Sequence, residues 1–124
     1  LGVAFPRSAI AFLDQGICRT LHDLIADGEV HDERTAEALV VLAHEAIHLT
    51  GERREGVTEC LALQAAVPLA ARLGIDDDRA RHMLERTYDQ RLAERSAIRA
   101  AYALPRECRD GGALDRRPAD TRFP

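Results

Sequence analysis

Residues 32–59 read DERTAEALVVLAHEAIHLTGERREGVTE, and they decide the fold. Ala36, Leu39, Val40, Ala43 and Ile47 recur at three- and four-residue steps, which predicts an amphipathic helix with one apolar stripe. Asp32 is placed to cap it and Glu33 to favour its positive end. Thr50-Gly51 predicts the stop, because glycine takes the left-handed conformation that commonly follows a helix. A further helix is predicted from about Glu52 through Leu61, Leu63, Ala65 and Leu69. Pro68 should kink it or end its first part, and Gly74 should close it. The two helices then form an antiparallel hairpin with its apex at Gly51.

Working outward, Asp14 is a plausible cap for a helix carrying Ile17, Leu21, Leu24 and Ile25, ended by Asp27-Gly28. Before it, residues 1–13 are poor helix material, and residues 9–13 read as a short extended segment. After Gly74, Ile75-Asp76-Asp77-Asp78 supplies a turn and capping carboxylates. A fourth helix follows, carrying Ala80, Met83, Leu84, Tyr88, Leu92 and Ile98 towards Leu104, where Pro105 stops it. The expected architecture is mainly α: a single small domain of about four helices over residues 1–104, with little or no β-sheet. Residues 105–124 are expected to be an irregular tail packed on it or trailing from it.

Composition narrows the function classes. A chain of 124 residues with 46% hydrophobic and 31% charged residues builds one core and is not disordered. No apolar run reaches the roughly 20 residues of a membrane span. A net charge of −4 and 4% aromatic residues without tryptophan argue against a nucleic-acid partner. The three cysteines, Cys18, Cys60 and Cys108, fit either buried thiols in a reducing compartment or one disulfide plus a thiol whose partner lies upstream. A start at Leu1 rather than Met leaves room for a preceding signal peptide or anchor, and hence for an extracytoplasmic location.

The chemistry concentrates in His44-Glu45-Ala46-Ile47-His48, an H-E-x-x-H string inside the predicted helix. Histidines four apart stand one turn apart on one face, so both imidazoles can reach one metal ion. Glu45 is offset around the helix, where it can hold a metal-bound water and take its proton. Counted from the apex, Glu55 falls at a height between His44 and His48, and Glu59 falls level with His44. Glu55 is therefore a candidate third ligand, and Glu59 a candidate acceptor for the other N–H of His44. The bland alternative for both is ordinary solvated helix charge. His22 and His31 have no supporting neighbours and read as surface residues.

The run from His44 to Glu59 resembles the zincin metallopeptidases, specifically the gluzincin branch, which pairs an H-E-x-x-H helix with a second helix bearing E-x-x-x-D or a close variant. The resemblance implies zinc held by His44, His48 and Glu55, Glu45 as general base, and Glu59 orienting a histidine. It also implies a downstream His or Tyr donating to the oxyanion, for which His82, Tyr88 and Tyr102 are candidates. For each of these the alternative is a partly buried helix residue with a satisfied polar tip. Glu59 stands where aspartate is usual, and only six residues separate His48 from Glu55, far fewer than in thermolysin-like enzymes. The metzincin pattern is rejected because Arg54 occupies the position of its third histidine. Gluzincins usually offer substrate an edge strand, and here only residues 9–13 are candidates for one. The wider run, with the tail ECRDGGALD, is also similar to actinobacterial proteins that are commonly exported or anchored, a likeness that supplies no activity.

The expectation is a zinc-dependent hydrolase acting on a peptide or protein substrate. Its rival is a zinc-bearing structural or interaction module that hydrolyses nothing. A di-iron bundle would need E-x-x-H on two helices, and this chain has it once, at Glu45 to His48. A bridge from Cys60 to Cys108 would pin the tail against the metal-binding helices.

Overall fold

Helical periodicity becomes four helices in the computed structural model, which describes residues 2–94 and 97–124, and of 97–99 the backbone alone. They are α1 (Gln15–Asp27), α2 (Asp32–Leu49), α3 (Glu55–Arg72) and α4 (Asp77–Ala93). The domain is mainly α, and α2 is its central element, packed against the other three helices and the N-terminal hairpin. Ala36, Ala38 and Ala43 of α2 and Ala62, Ala66 and Ala70 of α3 are buried, so small side chains let these helices approach closely. Leu39, Leu63 and Leu84 fill the space between them and are fully buried. No helix among the described residues is long and apolar enough to cross a membrane.

Several boundaries follow the side chains named above. Asp14 accepts from Gly16 N–H at 2.8 Å, and Asp76 from Asp78 and Arg79 N–H at 3.1 and 3.2 Å. Gly51 has φ 104°, which turns the chain after α2. Others differ. His31, not Asp32, precedes α2, and its N–H donates to Thr35 Oγ1 at 3.0 Å. Asp32 instead accepts from Arg79 Nε at 2.9 Å, tying α2 to α4. Helix α3 starts at Glu55 rather than near Glu52, because the Glu52 carboxylate accepts from Arg53 and Arg54 N–H, each at 2.9 Å, and holds a turn. Pro68 is exposed and does not end α3, which stays anchored through buried Ala66, Val67 and Ala70. Helix α4 ends at Ala93, short of Leu104. Its apolar stripe runs out of partners there, with Leu92 51% exposed, and a 3₁₀ turn over Ala97–Tyr102 follows. The Ile98 side chain lies outside the described residues.

The N-terminal segment forms a two-stranded antiparallel hairpin of β1 (Gly2–Phe5) and β2 (Ile10–Leu13), joined by a 3₁₀ turn over Pro6–Ser8. The sequence reading anticipates an extended segment near β2 and misses β1, which is too short to reveal an alternation. Val3 faces Phe12 and Phe5 faces Ile10 across the pair, leaving four apolar side chains exposed. Phe5 and Phe12 meet edge to face at 6.0 Å.

The tail contains no helix or strand and is pinned. Cys60 and Cys108 form a disulfide with Cα atoms 5.7 Å apart, while Cys18 is an exposed free thiol. Gln64 donates to Leu114 O at 3.0 Å and accepts from Arg116 N–H at 2.7 Å. At the first turn of α3 the backbone before the tail comes so close that a Cβ on Gly56 would lie 2.3 Å from Ala103 O. Alanine gains up to about 1 kcal/mol over glycine in a helix interior, and less in a first turn. A clash with backbone cannot be relieved by a rotamer and costs about 1–3 kcal/mol. Gly56→Ala is therefore expected to lower stability in urea unfolding; a stabilised variant would show that Ala103 is free to move.

Candidate metal centre

His44 and His48 stand one turn apart on α2, and the Gly51 turn brings the first residue of α3 against them. Glu55 Oε2 lies 3.1 Å from His44 Nε2 and 3.3 Å from His48 Nε2, and the two Nε2 atoms are 3.0 Å apart. Tetrahedral bonds of about 2.0–2.1 Å place ligand atoms about 3.3 Å from one another. The triangle thus has the dimensions of three corners of a four-coordinate site, and these residues can hold a metal ion.

The other ring nitrogens argue the same way. His44 Nδ1 donates to Glu59 Oε2 at 3.0 Å, and His48 Nδ1 donates to Glu52 O at 2.7 Å. With both Nδ1 protons committed, a neutral ring presents its lone pair at Nε2. Two such lone pairs and a carboxylate oxygen then converge on one point. They repel unless a cation, metal or proton, lies between them.

Electrostatics follow from that crowding. Burial pulls the His44 pKa down, but Glu59 and Glu55 outweigh it and hold it above the ordinary 6.5. Burial pushes the Glu59 carboxyl up, yet its bonds to His44 and Arg91 win and leave it below the usual carboxylate range. Glu45 is 5% exposed, and its Oε2 is buried with no hydrogen-bond partner among the described residues. Burial raises its pKa against the pull of His44 and His48. Gly2 passes so near that any side chain there would meet the Glu45 carboxylate.

A cavity of about 650 Å³ opens in front of this group. Glu45, His44, His48, Glu55 and Tyr102 line it, as do β1 and the turn after it. The strand at its edge is β1, not residues 9–13, because the hairpin register puts β2 on the far side. Tyr102 tilts over His44 with ring centres 5.8 Å apart. His82 and Tyr88 lie elsewhere. His82 is exposed on α4, and Tyr88 donates to Cys108 O at 2.7 Å and packs on Phe123. His22 and His31 are exposed.

Sequence reasoning misses the support behind Glu59. Arg91 Nε donates to Glu59 Oε1 at 2.7 Å, and Arg91 Nη2 bonds Glu37 Oε2, so a chain of alternating charge runs from Glu37 to His44. Arg91→Ala would strand a buried carboxylate with one partner. It is expected to cost about 3–5 kcal/mol and, measured by competition with a chromophoric chelator, about tenfold in metal affinity. Unchanged affinity would show that Glu59 holds its place without Arg91.

No family model, curated protein or solved structure matches the chain.

Proposed function

We propose that this domain is a zinc-dependent hydrolase, most simply a small metallopeptidase of the gluzincin kind. One observation carries the reading: three lone-pair donors converge at the wall of an open cavity, beside a buried carboxylate oxygen that no group of the described residues satisfies. His44, His48 and Glu55 would be the ligands. Bound zinc supplies a Lewis acid and a water of lowered pKa. Glu45 takes the proton from the attacking water, and its raised pKa suits a group that must then pass the proton to a leaving amine. Glu59, held by Arg91, keeps the His44 ring in one tautomer. The edge of β1 lies where an extended peptide can add as a further strand. Tyr102, above His44, is the candidate to donate to the developing oxyanion.

The rival reading, a structural zinc module, has less support. Structural sites are closed by four protein ligands, whereas three ligands here face a cavity and the Cys60–Cys108 disulfide already staples the tail to α3. That disulfide also favours an extracytoplasmic setting. The test is digestion of a mixed peptide library by zinc-loaded protein, with products identified by mass spectrometry. Cleavage that a chelator stops and zinc restores is expected; stoichiometric zinc with no cleavage would leave the structural module standing.

A further inference from the structure

Two cations border the same cavity with no anion to meet them. Arg7 stands on the turn joining β1 to β2, and Arg53 on the loop between α2 and α3. Both are exposed, and among the described residues neither guanidinium has a hydrogen-bond or ion-pair partner. The neighbouring arginines are committed: Arg54 to Glu52 at 2.7 Å, and Arg91 to Glu59 at 2.7 Å. The acids of the cavity are committed too. Glu55 belongs to the ligand triangle, Glu45 is buried beside it, and Glu52 is held by Arg54. A divalent ion would balance Glu45 and Glu55, leaving the two guanidiniums uncompensated among the described residues that line the cavity. Guanidinium forks match the planar geometry of a carboxylate.

Resting on the peptidase reading, we propose that Arg7 and Arg53 clamp a carboxylate of the peptide substrate, so that the preferred substrates carry that charge near the scissile bond. The carboxylate comes from an acidic side chain or from the peptide's own C-terminus, and both present the same planar anion. Arg7 lines the cavity from the hairpin turn and Arg53 from the α2–α3 loop, so the clamp would hold a peptide laid along β1.

The test measures binding, not turnover. Three dye-labelled peptides of one length are titrated into the full chain carrying Glu45→Gln and loaded with zinc, followed by fluorescence anisotropy at low salt. One peptide is neutral and amidated, the second is amidated with a single internal glutamate, and the third is neutral with a free C-terminal carboxylate. At least one carboxylate peptide is expected to bind roughly fivefold to tenfold tighter than the neutral one. Which of the two does so identifies the source of the charge. The preference should shrink as salt rises and fall to about one in Arg7→Ala/Arg53→Ala, whose melting temperature should match the parent because neither side chain is buried or paired. A preference that survives the double substitution, equal binding of all three peptides, or no binding at all overturns the clamp. Carboxylate preference without cleavage by the unsubstituted protein would sink the peptidase reading and leave the clamp, and cleavage without preference would do the reverse.

Discussion

Zinc at a thousandfold excess over its Kd is expected to raise the melting temperature of the metal-free protein by roughly 10–20 °C. A ligand that binds only the folded state stabilises by about 4 kcal/mol at that excess, and each kcal/mol shifts the midpoint of a domain this size by about 3–5 °C. The pH dependence has a definite sign. Without metal, a His44 pKa raised above 6.5 contributes stability that is fully present below pH 6.5. That contribution is lost as pH rises through the folded-state pKa. Metal requires the unprotonated ring, so zinc stabilisation grows over the same window. Calorimetry at several pH values should therefore find the curves with and without zinc diverging as pH rises above 6.5. Glu55→Ala separates ligand from scaffold, because Glu55 is only half-buried and its loss removes a donor without opening the core. A wild-type protein indifferent to both zinc and chelator would reject the site.

How much of this was legible in the sequence depends on range. The α2–α3 hairpin was, because its signals are local: an apolar stripe, a glycine stop, and candidate ligands counted outward from one apex. The same counting set Glu55 beside both histidines and Glu59 beside His44, where the distances place them. Glu52 was misread as helix because its capping of Arg53 and Arg54 depends on a side-chain rotamer, not on residue type. Tyr88 stood between a candidate oxyanion donor and a helix residue with a satisfied polar tip, because a tyrosine on a helix looks the same whether its hydroxyl meets substrate or a carbonyl; it is the second, bonded to Cys108 O.

Arg91 is the instructive omission. Ala80, Leu84 and Thr87 are buried on α4, and Arg91 continues their spacing onto the same face. A charged residue on an inward stripe must find a partner, since burying an unpaired guanidinium is prohibitive. That inference was available. What no local pattern could supply was the partner, Glu59, 32 positions earlier and on another helix. Position β1 was hidden for a different reason: its four residues acquire meaning only from pairing with β2 and from α2 beneath them.

Replacing Glu45 by glutamine is expected to reduce kcat by about 10²–10⁴, the usual contribution of a positioned general base, while zinc stays bound stoichiometrically. The substitution keeps shape and removes the proton acceptor, so Km should move far less than kcat. Stability should move the other way. A carboxyl whose folded pKa is raised destabilises the fold as pH climbs from the ordinary carboxylate range through that raised value. At neutral pH the Glu45 charge, with Oε2 buried and unpartnered among the described residues, is therefore a cost that a neutral amide does not carry. Metal-free Glu45→Gln should melt at or above the temperature of the parent protein, the trade of stability for activity expected at a working site. A variant that keeps full turnover would remove Glu45 from the chemistry. One that loses both turnover and stability would make it a structural residue, because an inert catalytic base is the only role that predicts a slower and sturdier protein together.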